Sequence, residues 1–113
     1  MATSLLVVMT NPQDGKEDEY NAWYTDVHVR EVVDIPGFVS AQRFKLADAQ
    51  MGPQGDHRYL AIYEVEGDPA AALAALKAAR PNMSMSDVLD ASTSAQMFTA
   101  ITERVTEGVS KAS

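Results

Sequence analysis

Cysteine is absent from the 113-residue chain, and basic residues are scarce in it. Without cysteine there can be no disulfide bond, no thiolate metal ligand and no cysteine nucleophile. Nine Lys and Arg residues stand against 16 Asp and Glu residues, which gives a net charge of −7. Because nucleic-acid grooves and anionic membrane surfaces both attract clustered basic side chains, we expect neither a nucleic acid nor a membrane as a partner.

Long apolar runs are missing as well. No stretch approaches the roughly 20 apolar residues that a transmembrane helix needs. The first residues also lack the basic region, apolar run and cleavage site of a signal peptide, so we expect a cytoplasmic protein. The chain length and the 46% share of hydrophobic residues indicate one globular domain over residues 1–106, followed by a flexible C-terminal tail at 107–113.

Apolar periodicity predicts four strands and two helices. The first strand is a continuous apolar run, which is typical of a central strand covered on both faces. Strict alternation in the second strand places Phe38 on the same face as Phe44. The last segment is ambiguous, and we assign it as a strand because it completes a sheet. The predicted elements are strand 4–10, helix 16–34, strand 38–46, strand 57–65, helix 69–80 and strand 95–105.

The order β-α-β-β-α-β predicts an α+β fold, namely a ferredoxin-like sandwich with an antiparallel four-stranded sheet. Two helices can cover only one face of such a sheet, yet the first and third strands are apolar on both faces. Burying a few hundred Å² of apolar surface at roughly 25 cal/mol/Å² yields several kcal/mol before the costs of association. We therefore expect a homodimer through the sheet face, which would form a dimeric α+β barrel.

The first predicted helix carries one histidine, His28, beside its apolar stripe. At about 100° per residue, the stripe itself contains Tyr20, Tyr24, Val27 and Glu31. His28 and Asn21 lie on one flank of the stripe, and Trp23 lies on the other. A polar imidazole is unusual on the apolar side of a helix, so His28 is either a structural residue or a functional one.

The spacing around His28 suits proton transfer. Tyr24 lies four residues before His28 and Glu31 three after it, so both can be its neighbours on the helix. An imidazole titrates near pKa 6.5 and can act as general acid and base, which typically contributes about 10²–10⁴-fold in rate. Tyr24 or Asn21 could donate to a carbonyl oxygen as charge develops there. Glu31 either fixes the imidazole tautomer or reaches solvent where the helix ends.

Other side chains are candidates for substrate contact. Arg43 could hold an anionic group, or it could form an ion pair at the dimer seam. Met85, with Met83, could close the mouth of a pocket or be ordinary packing. Four aromatic residues could form apolar walls, although aromatic residues also belong to cores. They are Trp23, Phe44, Tyr59 and Tyr63.

Metal and cofactor motifs are lacking. His28, Glu31 and the distant His57 do not form an HExxH or HxH pattern. The sequence also has no glycine-rich phosphate loop and no GxSxG elbow. We therefore expect neither a metal nor a cofactor.

Two motifs resemble the EthD-like branch of the dimeric α+β barrel superfamily. The first comprises Trp23-Tyr24, His28, Pro36-Gly37-Phe38, Ala41 and Arg43-Phe44, and the second is YLAIYEVEGDP at 59–69. The superfamily includes cofactor-free monooxygenases of aromatic polyketides, polyketide cyclases, muconolactone isomerases and haem-binding relatives. The resemblance implies a dimer with a pocket between the sheet and the helices of each subunit, where His28 would handle protons.

Three functions compete at this point. The leading prediction is a cofactor-independent enzyme of the isomerase, cyclase or dehydratase (lyase) type. It would move a proton on a hydrophobic cyclic or aromatic carbonyl compound, with His28 as acid and base and with Tyr24 and Arg43 orienting the substrate. The second is a cofactor-free monooxygenase of an aromatic substrate. The third is a non-catalytic ligand-binding or assembly dimer, which a closed site without space beside His28 would favour.

Overall fold

The protein is described by a computed structural model that covers residues 3–84 and 88–108. Its strands are β1 (Thr3–Thr10), β2 (Phe38–Lys45), β3 (Tyr59–Glu66) and β4 (Ser94–Thr99). Its helices are α1 (Glu17–Trp23), α2 (Val29–Val33) and α3 (Pro69–Ala79), with a π-helical segment (Tyr24–His28) between α1 and α2 and a 3₁₀ turn (Arg80–Asn82) after α3. Residues 109–113 of the predicted tail lie outside the described residues.

The four strands form one antiparallel sheet in the order β2-β3-β1-β4. This arrangement confirms the predicted ferredoxin-like α+β fold, in which the helices cover one face of the sheet. No helix in residues 3–84 and 88–108 is long and apolar enough to cross a membrane.

The last strand is shorter than predicted. It was expected at 95–105, but β4 ends at Thr99. Its pairing with β1 reaches Ser4, and the Ala100 N–H donates to the Thr3 carbonyl at 2.8 Å. The ladder therefore ends where the described part of β1 ends, and the β-branched residues that follow have no strand to pair with.

Because of a β-bulge, the faces of β2 differ from the predicted ones. Phe38 pairs with Val65 and Ser40 pairs with Glu64, so the register shifts by one residue between Phe38 and Ser40. The extra residue breaks the strict alternation. Phe38 consequently turns to the helix side and is buried, whereas Phe44 lies on the other face and is 42% exposed.

The first predicted helix is confirmed over its length, but its buried face changes direction at the π-helical segment. The Val29 N–H donates to the Tyr24 carbonyl, five residues away, instead of four. One extra residue per turn shifts every later side chain around the axis. Val32 is therefore buried, while Val27 and Glu31, which the regular period placed in the stripe, are only partly buried.

Helix α3 packs closely against the start of β2. The Asp68 side chain caps it by accepting from the Ala70 N–H at 3.0 Å, and Pro69 occupies its first position. Gly37 has φ +98°, and a Cβ there would lie 3.1 Å from the Ala72 Cβ. The predicted stop at Pro36-Gly37 thus needs glycine both for its backbone conformation and for the approach of α3.

The two faces of the sheet are covered differently. The hydrophobic core lies between the helices and the inner face, and it includes Leu6, Tyr20, Tyr24, Val32, Phe38, Ala61, Tyr63, Val65 and Ala72. The other face, which we call the open face, carries Leu5, Val7, Met9, Phe44, Leu60, Ile62 and Phe98. No helix of the described residues covers it, and Phe98 is 57% exposed.

Candidate active site

His28 ends the π-helical segment and is held between two aromatic rings. Its imidazole stacks on Trp23 with 4.7 Å between ring centroids and 20° between planes. The Tyr24 ring meets it edge-on at 5.1 Å and 83°. The His28 side chain is only 16% exposed, so two rings and the surrounding chain fix its position.

The π-helical segment explains the stack. In a regular α-helix, residues five apart point about 140° away from each other, which places Trp23 and His28 on opposite flanks. A π turn brings residue i+5 above residue i because their backbones are bonded. The prediction of opposite flanks is therefore wrong, and the two rings lie face to face.

Glu31 lies beside the imidazole as the spacing predicted. Its Oε1 is 3.9 Å from His28 Nδ1, and both atoms are buried without a hydrogen bond among the described residues. Its Oε2 accepts from the Ser84 N–H at 2.8 Å, while the Trp23 Nε1–H donates to the Ser84 carbonyl at 2.7 Å. The backbone of Ser84 thus anchors both the carboxylate and the indole. We call Trp23, Tyr24, His28 and Glu31 the His28 cluster.

Burial controls the charge of His28. Desolvation lowers the pKa of His28 below its ordinary value, the Glu31 carboxylate opposes this change, and Arg80 adds to it. The imidazole is therefore neutral at neutral pH and able to accept a proton.

Arg43 reaches the same helix from β2 and lies among tyrosine rings. Its guanidinium carbon is 4.6 Å from the centre of the Tyr24 ring, 5.2 Å from Tyr20 and 5.5 Å from Tyr59. Among the described residues no carboxylate lies within 4.0 Å of it. The guanidinium instead donates to Thr25 Oγ1 at 2.8 Å and to Asn21 Oδ1 at 3.0 Å. We call Tyr20, Asn21, Thr25, Arg43 and Tyr59 the Arg43 cluster.

Three hydroxyl groups of this region are already engaged. The Asn21 amide donates to Tyr59 Oη at 3.2 Å, and the Tyr59 hydroxyl donates to Glu17. The Tyr20 hydroxyl is bonded to Thr10 Oγ1. These bonds fix the rings that surround the Arg43 guanidinium.

Tyr24 and Tyr63 are different, because their buried hydroxyls interact with each other. Tyr24 is 2% exposed and Tyr63 is 1% exposed, and the Tyr63 hydroxyl makes no hydrogen bond of normal geometry among the described residues. Burial raises the pKa of Tyr24 to about 12 and raises that of Tyr63 as well, and each phenol affects the pKa of the other. Both groups are therefore neutral phenols at any ordinary pH.

Most predicted site residues come together around Tyr24, which belongs to the His28 cluster and touches the Arg43 cluster. Phe44 does not, because it lies on the open face of the sheet. The proposed wall role of Phe44 in a pocket beside His28 is therefore wrong for this chain. Met85 lies outside the described residues.

Two residues that help to fix the site, Ser84 and Thr25, were not predicted from the sequence. Ser84 acts only through its backbone, which leaves no signal in the sequence. Thr25 lies next to Tyr24 and accepts from Arg43. Its position one residue after a stripe residue could have indicated a contact with a neighbouring strand.

Two cavities lie away from His28. One of about 310 Å³ is on the open-face side and is lined by residues that include Met9, Phe44, His57 and Leu60. The other, about 810 Å³, also lies on the open-face side and is lined by Thr3, Leu5, Glu64 and residues 98–104. Neither is lined by His28, Tyr24 or Arg43. Within residues 3–84 and 88–108, no group of three His, Asp or Glu side chains is placed to hold a metal ion.

No family model and no curated protein matches the sequence. Solved structures do resemble the fold. The haem degrader MhuD from Mycobacterium tuberculosis aligns with a TM-score of 0.60 at 18% identity, over 90% of this chain and 99% of that chain. An EthD family protein from Bacillus halodurans gives a TM-score of 0.53 at 14% identity, over 86% of this chain and 96% of that chain.

A mutant of SnoaB, a cofactor-independent oxygenase from Streptomyces nogalater, gives a TM-score of 0.51 at 19% identity, over 90% of this chain and 94% of that chain. Identities this low concern the fold and leave the reaction open. The chain has the ferredoxin-like α+β fold of these proteins, which confirms the resemblance to the EthD-like branch at the level of the fold.

Proposed function

We propose that this chain is a cofactor-independent enzyme in which His28 removes a proton from a hydrophobic cyclic or aromatic carbonyl compound and returns it at another position. The reaction would be an isomerisation, a cyclisation or a dehydration. The observation that supports it is the neutral imidazole of His28, held by Trp23 and Tyr24 with Glu31 beside its Nδ1. Such a group is ready to accept a proton at neutral pH.

Glu31 would set the tautomer of the base. We assign the ring proton to Nδ1 because the negative charge of Glu31 Oε1, 3.9 Å from this nitrogen without a hydrogen bond, attracts it. Nε2 then carries the lone pair that takes the substrate proton. The imidazolium formed in this step gains a nearby carboxylate, which stabilises it.

Tyr24 and Arg43 would orient the substrate carbonyl. The Tyr24 phenol stays protonated because its pKa is raised to about 12, so it can donate to an oxygen that gains negative charge. The Arg43 guanidinium, 4.6 Å from the Tyr24 ring, adds a positive charge to the same region.

Cofactor-free oxygenation is the second candidate, and the fold likeness to SnoaB favours it. The first step would be the same proton removal by His28, after which the substrate carbanion adds O₂ and the resulting hydroperoxide loses water to leave a carbonyl group. Oxygen consumption measured with an electrode separates the two candidates.

The residues around His28 do not fit a haem, although MhuD is a haem degrader. Trp23 stacks on one face of the imidazole, and the Tyr24 ring packs against it nearly perpendicularly. Neither cavity described above reaches this ring.

The same cavities favour the third candidate, a binding or assembly dimer, because they lie away from His28. Catalysis requires that a substrate displace part of the partly buried surroundings, such as Trp23, Asn21 or Arg43. Deuterium exchange decides between the proton-transfer enzyme and the binding or assembly dimer.

We also propose that the chain forms a homodimer through the open face. The support is the row of apolar side chains there, among them Leu5, Met9, Phe44 and Phe98, each more than one-third exposed. Exposed apolar patches of this kind mark association surfaces. Sedimentation velocity at several protein concentrations measures the oligomeric state.

Deuterium exchange tests the base without knowledge of the natural substrate. 2-Tetralone in D₂O buffer exchanges its acidic carbon-bound hydrogens when a base removes them, and NMR follows the loss of signal. We expect wild type to accelerate this exchange and His28→Ala to lose about 10²–10⁴-fold of the acceleration. His57→Ala is the matched control. Equal exchange in wild type and a folded His28→Ala variant would overturn the proposal.

A further inference from the structure

Tyr63 has a buried hydroxyl whose neighbouring hydroxyl group is that of Tyr24. It comes from the centre of β3 and is 1% exposed, yet its Oη makes no hydrogen bond of normal geometry among the described residues. Buried hydroxyls almost always have a partner, because desolvating them without one is costly. A donor that has only a poorly aligned contact with the Tyr24 hydroxyl can bond to a further oxygen that binds during function.

The sheet register brings Arg43 next to Tyr63. Arg43 pairs with Ala61 and Ala41 pairs with Tyr63, so the two side chains are near neighbours on the inner face. Tyr24 lies above them, with its ring 4.6 Å from the guanidinium carbon. Two neutral phenols and one cation thus converge from a strand pair and a helix.

Arg43 carries a positive charge that no carboxylate compensates among the described residues. Its two hydrogen bonds go to neutral oxygens, on Thr25 and Asn21. The nearby Glu17 is already bonded to Tyr59 and Arg58. A partly buried guanidinium with neutral partners attracts an anion.

We propose that Tyr24, Tyr63 and Arg43 form a binding site for the anionic oxygen of a phenolate or an enolate. This proposal rests on the proposed function, because it names the class of substrate for the same region: aromatic or cyclic compounds whose oxygen carries charge after proton loss. The Tyr24 and Tyr63 hydroxyls donate hydrogen bonds to this oxygen, and Arg43 supplies the positive charge. The raised pKa values of both phenols keep these donors protonated.

4-Nitrophenol tests the site because its anion absorbs visible light and its neutral form does not. Near the pH of half-ionisation, the wild-type protein should bind the anion preferentially and increase its absorbance. Nitrobenzene has the same ring without the hydroxyl and should bind at least tenfold more weakly. Equal binding of the two probes would mean an apolar pocket without an anion site, and the proposal would fail.

Tyr63→Phe removes the hydroxyl that we assign to the ligand. We expect about tenfold weaker binding of the anion, with a melting temperature close to that of wild type because the hydroxyl makes no hydrogen bond of normal geometry in the free protein. Ser4→Ala is the control, since it removes another buried hydroxyl of the inner face, one that is bonded to Thr99. It should keep anion binding and lose stability. A Tyr63→Phe variant that binds the anion like wild type would overturn the role of Tyr63.

His28→Ala separates this inference from the proposed function. If both are correct, this variant loses deuterium exchange and still binds 4-nitrophenolate. Loss of exchange in His28→Ala together with no anion preference in wild type would leave the base in place and remove the anion site. An anion preference without any exchange dependent on His28 would remove the base and keep the anion site.

Discussion

The inner and the open face of the sheet are built from alternate residues of the same strands, but they carry different chemistry. On β3, Tyr59 and Tyr63 point to the helices, whereas Leu60 and Ile62 point to the open face. The inner face also holds Arg43 and the rings around it. Polar and ionisable groups on the inner face are therefore sheltered by helices, whereas the open face carries a row of apolar groups suited to association together with the exposed-side Glu64.

The two faces of one sheet can therefore serve different functions, with chemistry on the inner face and association on the open face. Groups that transfer protons or hold charge need a dry and fixed environment, which the first helical region provides through Tyr24 and His28. An association surface needs only apolar area and complementary shape. If this division is correct, substitutions on one face should leave the property of the other face unchanged.

The largest expected effect concerns the open face. Phe98→Asp places a charge in the proposed dimer interface, where burying it without a partner is costly. We expect the dimer to dissociate at least 100-fold more readily, which corresponds to about 2.7 kcal/mol. Sedimentation velocity measures the change, and Glu107→Ala serves as a control outside the sheet. An unchanged dimer, or a wild-type monomer, would contradict the role of the open face.

The second prediction concerns the inner face. Arg43→Met keeps much of the length of the side chain and removes its charge. We expect roughly 10- to 100-fold slower deuterium exchange of 2-tetralone, since a charged hydrogen-bond partner of the forming enolate is lost. The oligomeric state should stay as in wild type. A variant with altered association and normal deuterium exchange would contradict the proposal that the inner face serves catalysis and the open face serves association.

The third prediction uses pH. Burial lowers the pKa of His28 in the folded state below its ordinary value near 6.5. Between these two pKa values the unfolded chain binds more protons, so this group makes the protein less stable as the pH falls below about 6.5. His28→Gln should reduce the loss of melting temperature between pH 7 and pH 5. An equal loss in both proteins would contradict the lowered pKa.

A fluorescence titration refines this test. Trp23 is the only tryptophan of the chain, and it stacks on His28. Protonation of His28 should change its emission with a midpoint below 6.5 in the wild type. Glu31→Gln should lower the midpoint further, because the Glu31 carboxylate opposes the effect of burial. A midpoint that rises in this variant would exclude the assigned contact.

The smallest effect concerns α3, which covers only the inner face. Asp68→Ala removes the cap that accepts from the Ala70 N–H. We expect a loss of about 1 kcal/mol in the free energy of unfolding, measured by chemical denaturation. The exposed Asp48 provides a matched control, because Asp48→Ala should change stability by less than about 0.5 kcal/mol. Equal effects of the two substitutions would mean that the cap does not contribute.

Several features could be predicted because they depend on local patterns. The period of two in the strands and the Asp68-Pro69 helix start are visible in the sequence, as is the glycine stop at Gly37. The placement of Tyr24, His28 and Glu31 as neighbours follows from spacing on a helix. Other features depend on a single extra residue. The bulge after Phe38 and the π-helical segment each shift a register, and no glycine or proline marks either position.

The sequence by itself determined the order of elements, the antiparallel α+β fold and a histidine on the apolar side of the first helix. It did so because apolar period, capping residues and turn residues act over a few neighbouring positions. Only the tertiary structure decided that Trp23 stacks on His28, that Arg43 lies among tyrosine rings, and that Phe44 belongs to the open face. These outcomes depend on how helix and sheet registers match when they pack, and packing selects the π turn and the bulge.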